Sequence, residues 1–450
     1  MSALINIDSI PLELRKKMTE DLVVTASGKN EKKAKYNKHI TYNTYDVIDD
    51  QFVAVPFSYF FRELNLGFPN DGDEAPQMKA KFRMELFERQ KSIRQESFDI
   101  LNRTHSLLLS LYTGFGKTNY AIYASCKIGN KTLITCHRSR LVLQWVDSIT
   151  RACGKETKIQ VVKGKAALDP EADFYIINPV LLPKRDRFEF RHIKTVIIDE
   201  AHLICTEKYS RGLNFLFPKY LICLTATPIR SDGQDKVLDL FVGKNMIYRP
   251  LKANFNAYLF STGFKPKIQQ NSAGDLDWNS VLASQAQDSG RNTTIVDLCR
   301  YFSRRNILLL CKRKDQAKIL HDGLVECGED SCIFMGSNKY FNLESRIVVS
   351  TCSKSGVGFD HPKLDMLILA SDVEENFIQY LGRVFRREDH YPIIIDMVDS
   401  FRPLQNHSES RKKIYQEAGG NVCNFKESFR SFSFWQQHFR GSQAPPGPPE

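Results

Sequence analysis

The sequence predicts an α/β protein made of two tandem domains, each a mostly parallel sheet covered by helices. Short apolar runs occur in two series, one between residues 132 and 224 and the other between residues 307 and 395. The runs are continuous rather than alternating, which is typical of strands covered on both faces. Longer stretches with helical spacing separate them. We therefore expect two α/β domains, divided near residues 250–290.

The strands are expected in chain order at these runs. In the first domain a run at Leu107–Leu111 is followed by Thr132–Thr135, Phe174–Ile177, Thr195–Ile198 and Leu221–Leu224. In the second domain the runs are Ile307–Leu310, Arg346–Val349, Met366–Leu369 and Pro392–Ile395. Helices are expected at residues 89–101 and 315–324, where the apolar side chains recur at helical spacing.

Changes in composition set the expected domain boundaries. Residues 1–78 are expected to be an irregular accessory region whose aromatic run, 52–61, favours core packing. The first domain is expected over 79–250 and the second over 251–440. Residues 401–440 contain both basic and aromatic side chains. This composition favours an amphipathic helix, and binding of a single nucleic-acid strand is the alternative. The Pro- and Gly-rich residues 441–450 are expected to be disordered.

The overall composition restricts the class of protein. Of the 450 residues 42% are hydrophobic and 26% are charged, an ordinary globular balance that excludes a disordered or collagen-like chain. We expect a soluble protein, because the sequence has neither an apolar run long enough to span a membrane nor a visible secretory signal. The 11 cysteines form no C-x-x-C pair, which favours a reducing compartment and disfavours zinc.

The charge is strongly positive. Lys and Arg number 63 against 52 Asp and Glu, a formal net charge of +11. Such an excess favours polyanionic partners such as nucleic acid through steering and counterion release. A basic protein with no polyanionic partner is the alternative at this point.

A phosphate-binding loop follows the apolar run Leu107–Leu111. The next residues open a helix-like stretch and are predicted to bind a nucleotide: Thr113, Gly114, Phe115, Gly116, Lys117 and Thr118. Glycines let backbone N–H groups approach phosphate oxygens at a helix N-terminus. Lys117 would neutralise the β- and γ-phosphates, and the Thr118 hydroxyl would bind Mg²⁺. Leu111 departs from the usual motif, which has a glycine at that position.

Two adjacent carboxylates follow the run Thr195–Ile198. Asp199 at the end of this expected strand could bind Mg²⁺, and Glu200 could polarise the attacking water. An acidic pair after a strand is often a solvated turn. Its occurrence downstream of a phosphate loop favours a catalytic role.

The order of these segments resembles the superfamily 2 helicases. The family's D-E-A-H box corresponds to Asp199-Glu200-Ala201-His202, and its third motif to Thr225-Ala226-Thr227-Pro228. Its fifth motif resembles residues 351–360, ending in Gly358-Phe359-Asp360, and its sixth resembles residues 379–386, with Tyr380 in place of an arginine. The resemblance covers about residues 80–400. It is strongest to helicases of large cytoplasmic DNA viruses, such as the poxvirus transcript-release helicase, and weaker to the repair helicase XPB.

The resemblance implies two tandem RecA-like domains with ATP and Mg²⁺ bound between them. The implied catalytic residues are Lys117, Asp199, Glu200, Gln379, Arg383 and Arg386, with Thr118 and Asp199 at the metal. Gln90 would read adenine, and Gly358 and Asp360 would complete the nucleotide site. The implied residues that couple the two domains are His202, Thr225 and Thr227. Arg138, Ser353 and Lys354 would contact the nucleic-acid backbone.

The function implied is that of an ATP-dependent helicase or translocase. DNA is favoured over RNA, in viral-type transcription, repair or replication, with transcription or replication proteins as further partners and no membrane. The expected location is the host cytoplasm or the virion. The alternative is an ATP-driven remodeller or transcript-release factor that displaces RNA or protein without unwinding. A non-enzymatic scaffold and a kinase or GTPase-like switch fit less well, because the catalytic residues are intact and a second α/β series is present.

Overall fold

The computed structural model describes residues 1–26, 40–68, 70, 75–203, 206–226, 235–338, 340–355, 359, 361–373, 377–385 and 390–425. The chain divides into two compact units, one formed by Met1–Leu111 and Phe115–Arg249 and the other by Tyr112–Gly114 and the residues from Pro250 onward. Four of the predicted site residues, Thr227, Gly358, Asp360 and Arg386, lie outside the described residues, as does the predicted tail 441–450.

The N-terminal region of the first unit has regular structure in its described residues. Its elements are β1 (Ser2–Asn6), α1 (Leu12–Asp21), β2 (Val23–Ala26), β3 (Ile40–Asn43), β4 (Asp46–Val47), β5 (Phe52–Pro56) and α2 (Phe57–Tyr59), the last continued by a π-helical turn, Phe60–Leu64. Strands β1, β5 and β4 form an antiparallel sheet, and β2 pairs with β3. The expectation of an irregular region was therefore wrong for this part.

Apolar side chains of the N-terminal region share a core with the rest of the first unit. Val53, Phe57 and Tyr59 are buried in one cluster with Leu216 and Phe241. The prediction that the aromatic run packs into a core is confirmed for its described buried members. These burials link the N-terminal strands to the main sheet of this unit.

The main sheet of the first unit has seven strands within the described residues, all parallel, in the order β12-β6-β11-β10-β7-β9-β8. They are β6 (Ser106–Leu111), β7 (Thr132–Thr135), β8 (Ile159–Val162), β9 (Phe174–Ile177), β10 (Thr195–Ile198), β11 (Tyr220–Thr225) and β12 (Met246–Arg249). Every residue of β6, β7, β9 and β10 is buried. This is the burial that continuous apolar runs predict.

Helices connect and cover these strands. They are α3 (Glu88–Lys91), α4 (Arg94–Thr104), α5 (Lys117–Ile128), α6 (Ser139–Cys153), α7 (Glu207–Leu213) and α8 (Asp235–Val242). The helix expected over 89–101 is divided into α3 and α4. Ser92 and Ile93 form a turn between them. The Gln90 side chain accepts a hydrogen bond from the Phe87 backbone N–H and so caps the short first helix.

The second unit contains a second all-parallel sheet, with seven strands in its described part, in the order β15-β16-β14-β17-β18-β13-β19. They are β13 (Phe255–Ser261), β14 (Ile307–Cys311), β15 (Ser331–Phe334), β16 (Ile347–Thr351), β17 (Met366–Leu369), β18 (Ile393–Val398) and β19 (Gly420–Phe425). The helices are α9 (Trp278–Gln287), α10 (Ser289–Tyr301), α11 (Lys314–Glu326), α12 (Cys352–Ser355), α13 (Phe377–Leu381) and α14 (Arg402–Glu417). Both sheets match the predicted fold class.

Helix α14 agrees with the amphipathic helix expected within residues 401–440, of which 426–440 lie outside the described residues. Arg411 on this helix is buried and makes two hydrogen bonds of 2.8 Å to the Asp396 carboxylate. It also donates to Asp372 at 2.9 Å, and Tyr415 donates to Asp396 at 3.0 Å. Arg411 therefore stabilises the second unit, and its guanidinium is not presented to a nucleic-acid strand.

No helix in the described ranges is long and apolar enough to cross a membrane.

Candidate nucleotide-binding site

The candidate site residues of the first unit lie at one edge of its sheet. Because the strands are parallel, their carboxyl ends meet at the same edge. The phosphate loop follows β6, Arg138 follows β7, Asp199 follows β10, and Thr225 ends β11. These four strands are neighbours in the sheet. The topology thus brings together segments that are far apart in the sequence.

The phosphate loop has the geometry of an anion-binding nest. Gly114 and Gly116 have φ angles of 97° and 92°, a region that side chains rarely adopt. A Cβ atom on Gly116 would lie 2.5 Å from Gln90 Nε2, so a side chain there would require the Gln90 amide to move. Helix α5 begins at Lys117, which places its N-terminal N–H groups at the loop. These features fit the phosphates of a nucleotide.

Lys117 is held within this loop. Its Nζ donates a hydrogen bond of 2.9 Å to the Leu111 carbonyl oxygen. Leu111 itself is fully buried at the end of β6. The residue that departs from the usual glycine therefore fills the core with its side chain, and its carbonyl helps to position the lysine ammonium.

Gln90 joins helix α3 to the phosphate loop. Its Nε2 donates to the Gly116 carbonyl at 3.0 Å, and its Oε1 accepts from the Phe87 N–H at 2.9 Å. Arg89 next to it donates to the Phe115 carbonyl at 3.2 Å, and its guanidinium lies 4.7 Å from the centre of the Phe87 ring. In this structure Gln90 braces the loop with both ends of its amide. Its predicted adenine contact stays a prediction.

The two predicted carboxylates stand at the end of β10. Glu200 has a φ of 52°, an uncommon left-handed conformation that marks a sharp turn after the strand. Its backbone N–H donates to Asp199 Oδ1 at 3.0 Å. Burial, followed by the charge of Glu200, raises the pKa of Asp199 to about 7, although Trp145 and Lys117 act in the opposite direction. A divalent cation at this carboxylate would favour its ionised form.

The donor types at the site fit Mg²⁺. This ion prefers hard oxygen ligands and usually takes one or two protein groups together with substrate phosphates. Asp199 supplies a carboxylate, and Thr118 supplies a hydroxyl in the first turn of α5. Among the described residues no cluster of three or more His, Cys, Asp or Glu side chains could hold a metal ion. A metal at Asp199 would therefore need the substrate phosphates as further ligands.

His202 lies on a 3₁₀ turn, Ala201–Leu203, next to the carboxylates. Its Nδ1 is 3.1 Å from the Thr225 hydroxyl at the end of β11 and 3.5 Å from Glu200 Oε2. The structure thus brings together two of the three predicted coupling residues, and Thr227 lies outside the described residues. The contact ties the turn after β10 to the neighbouring strand.

Trp145 is a contact of the site that the sequence interpretation missed. The sequence favours packing of this helical residue, with stacking on a nucleic-acid base as the alternative, and Trp145 is 1% exposed. Its indole Nε1 also donates a hydrogen bond of 2.8 Å to Asp199 Oδ2. The one available signal was that a buried tryptophan N–H usually finds an acceptor.

The predicted nucleic-acid contacts occupy two separate positions. Arg138 is exposed at the N-cap of α6 in the first unit. Ser353 and Lys354 lie on α12 in the second unit, after β16. Ser353 is exposed, whereas Lys354 Nζ donates to the Gly336 carbonyl at 2.9 Å and lies 5.1 Å from the centre of the Phe334 ring. In each unit these side chains follow a parallel strand.

The structure describes the predicted sixth motif from Gln379 to Phe385. Gln379 and Arg383 are largely buried, and Arg383 Nη1 donates to the Phe359 carbonyl at 2.6 Å. Tyr380, which replaces the family's arginine, is 5% exposed, and its hydroxyl donates to the Cys352 carbonyl at 2.9 Å. Tyr380 therefore packs α13 against the segment that carries Ser353.

Comparison with known proteins decides the family. A model of the family "Type III restriction enzyme, res subunit" matches residues 81–230. The protein named "Putative helicase 161L" of Invertebrate iridescent virus 6 is 36% identical over 397 residues, which cover 83% of this chain and 89% of that protein. This chain belongs to the superfamily 2 helicases. As a member of that family it is an ATP-hydrolysing enzyme, and the family binds nucleic acid.

This helicase is also similar to a poxvirus protein and to a solved helicase structure. Transcript termination protein A18 of Ectromelia virus (strain Moscow) is 26% identical over 322 residues, 64% of each chain. The structure of S. cerevisiae Dbp5 bound to RNA and ADP BeF3 matches with a TM-score of 0.55 at 13% identity, over 80% of this chain and 98% of that one. The structural match shows that the fold is that of tandem RecA-like domains.

Proposed function

We propose that this helicase is an ATP-driven DNA translocase or helicase that serves transcription, repair or replication of a large DNA virus. The observation that carries the proposal is the row of strand ends in the first unit. The phosphate loop, the Asp199–Glu200 turn and Arg138 follow β6, β10 and β7, three of the four consecutive parallel strands β6-β11-β10-β7. A site that hydrolyses ATP and a side chain suited to a phosphodiester backbone thus share one edge of a rigid sheet.

Four residues would perform the chemistry in the first unit. Lys117 neutralises charge on the β- and γ-phosphates, and the glycine loop orients them. Thr118 and Asp199 would hold Mg²⁺, which would supply positive charge to shield the phosphates. Glu200 orients and polarises the attacking water as a general base. The left-handed backbone of Glu200 supports this role, because strained turns of this kind cluster at functional sites.

The remaining nucleotide contacts are proposed from the motifs. Gln90 reads adenine, and Gly358 and Asp360 complete the nucleotide site. Gln379, Arg383 and Arg386 stabilise negative charge on the transferring phosphoryl group, a task that suits the fixed charge and planar fork of arginine. His202, Thr225 and Thr227 couple hydrolysis to movement; the contact of His202 with Thr225 supports this.

Nucleic acid is proposed to bind through its backbone. Arg138, Ser353 and Lys354 are polar or basic side chains beside strand ends, and the chain carries a net charge of +11. Backbone contacts give affinity without sequence preference. DNA is proposed over RNA because the relatives include proteins of large DNA viruses.

A second function is favoured by one specific similarity. The relative from Ectromelia virus is named a transcript termination protein. By that similarity the chain would use ATP to displace RNA from a transcribed template, without unwinding a duplex. Transcription proteins would then be partners, in the host cytoplasm or the virion. A transcript-release assay run beside a strand-displacement assay separates the two functions.

The primary test is the rate of ATP hydrolysis with no polymer, single-stranded DNA, duplex DNA and RNA. We expect stimulation by DNA, with RNA weaker. Stimulation by RNA alone would overturn the choice of DNA, and a rate indifferent to every polymer would overturn the translocase proposal.

Two variants test the catalytic assignment. Lys117→Ala should lower hydrolysis at least about 10²-fold with little change in thermal unfolding. Glu200→Gln should stop turnover while ATP and strand still bind, since it removes the base and keeps the shape. Wild-type hydrolysis in the first variant, or lost ATP binding in the second, would contradict these roles.

A further inference from the structure

Helix α6 carries a side chain that reaches the carboxylate at the end of β10. Trp145 lies within this helix and is 1% exposed, and its Nε1 donates to Asp199 Oδ2 at 2.8 Å. The two residues are 54 positions apart in the sequence. A buried indole N–H needs an acceptor. Here the acceptor is the carboxylate proposed to bind the metal.

The contact fixes the orientation of Asp199. Oδ1 accepts the backbone N–H of Glu200 at 3.0 Å, and Oδ2 accepts the indole N–H. A carboxylate oxygen has two lone-pair directions, so each oxygen can still bind a cation. The bond to Glu200 comes from the adjacent residue and fixes only one of the two carboxylate oxygens. The indole, which comes from another element, supplies the second fixed point.

The same helix begins at the proposed strand contact. Arg138 is the N-cap of α6 and is exposed. Seven residues of α-helix span about 10 Å, a distance over which a helix moves as one body. Leu141, Trp145 and Ile149 recur every four residues and are buried along one face of the helix. Arg138 and the indole of Trp145 are therefore joined by one continuous helix.

We propose that Trp145 is a positioning residue that orients Asp199 and transmits strand binding at the start of α6 to the nucleotide site. The inference rests on the proposed function, because it needs both a metal-binding role for Asp199 and a strand at Arg138. It adds a direct link between them that runs within the first unit. This link is separate from the contact between His202 and Thr225, which joins β10 to β11.

The first test is Trp145→Phe, which keeps an aromatic ring in the core and removes the N–H donor. Trp278→Phe is the matched control, since Trp278 is 37% exposed in the second unit. For each variant kcat and KM for MgATP are measured with and without saturating single-stranded DNA, together with the strand Kd and the unfolding temperature. Loss of a residue that orients a metal ligand typically costs about 10–100-fold in activity or metal affinity.

We expect Trp145→Phe to lower strand-stimulated kcat by about ten-fold or more and to reduce the ratio of stimulated to basal rate. The strand Kd should stay within about two-fold, because Arg138 is unchanged, and Trp278→Phe should match the wild type. A folded Trp145→Phe with normal kcat and normal stimulation would overturn the proposal. Equal losses of strand affinity, basal rate and stimulated rate would also overturn it, since they indicate a general packing role.

A second measurement guards against a variant that does not fold. The chain has three tryptophans, so a Trp278→Phe/Trp435→Phe background leaves Trp145 as the single one. Incorporating benzothienylalanine in this background replaces the indole N–H with sulfur and preserves the ring shape. The stimulation ratio should fall as in Trp145→Phe, and an unchanged ratio would overturn the proposal.

The same background gives a readout other than activity. The emission of Trp145 should change when Mg²⁺ and a non-hydrolysable ATP analogue bind, because the cation alters the charge next to the indole. An unchanged emission at saturating analogue would count against the contact. If the wild type itself shows no strand stimulation, the proposed function fails and so does transmission by α6. The orienting role is then still decided by the basal kcat of Trp145→Phe.

Discussion

Replacing Arg411 with methionine tests whether this arginine is part of the core or a basic contact for nucleic acid. Its side chain occupies the interior of the second unit, where it makes two hydrogen bonds to Asp396 and one each to Asp372 and the Val373 carbonyl. Asp396 is fully buried. Methionine is apolar and shorter than arginine, so the change removes the charge and the donors but keeps an unbranched apolar side chain in the core.

The expected cost follows from what the substitution leaves behind. Asp396 would keep its hydrogen bond from Tyr415 but would lose its cationic partner. Breaking a buried ion pair by removing one partner typically costs about 3–5 kcal/mol, because the remaining charge is uncompensated. A change of 1 kcal/mol shifts the unfolding temperature of a domain of this size by about 2–4 °C. Arg411→Met should therefore lower the unfolding temperature of the second unit by roughly 6–20 °C.

The assay is thermal and urea unfolding followed by circular dichroism and by Trp278 emission. Trp278 reports on α14, because its ring stacks on His407 with ring centres 5.2 Å apart. The control is Lys413→Met on the same helix, an exposed position where the expected change is within about 0.5 kcal/mol. Unchanged stability in Arg411→Met, with weakened strand binding, would refute the core assignment and restore the nucleic-acid interpretation.

Three further predictions concern other parts of the chain. Tyr380→Phe should cost about 1–2 kcal/mol in urea unfolding, because the Cys352 carbonyl loses its buried donor, and normal stability would show that the bond is unimportant. Arg138→Ala should make the slope of log strand affinity against log salt shallower by about 0.7, and unchanged salt titrations would exclude a phosphate contact. Burial lowers the pKa of His137 to about 4, so the unfolded chain binds more protons between about pH 6.5 and 4 and stability falls as pH falls through that range. His137→Gln should weaken this pH dependence in thermal unfolding, whereas an unaltered pH profile would contradict it.

Much of the fold was predictable because its main signals are local. Continuous apolar runs predicted the central strands β7, β9, β10 and β14, since strands covered on both faces need apolar side chains in succession. Strands at the sheet edges were missed. In β12, for example, Met246 and Tyr248 are exposed and alternate with buried Ile247, so no continuous run marks the strand. Edge strands need fewer apolar residues because one side of the sheet ends there.

The predicted nucleotide residues were also set by local chemistry. The positive φ angles of Gly114 and Gly116 are what a glycine-rich loop between a strand and a helix leads one to expect. The placement of Asp199 at a strand end follows directly from the apolar run before it. Their assembly at one sheet edge depends on the strand order, in which β11 separates β6 from β10.

The sequence by itself thus determined the fold class, the phosphate loop and the carboxylates at the end of β10, because each is encoded in a few consecutive residues. Only the tertiary structure decided which polar side chains become buried partners. Trp145 meets Asp199 across 54 residues, and Arg411 meets Asp372 across 39. From the sequence the basic stretch that contains Arg411 fits either an amphipathic helix or a single-strand contact. The cost of burying a charge can be met by a carboxylate from another segment of the chain, and that partner is known only once the chain has folded.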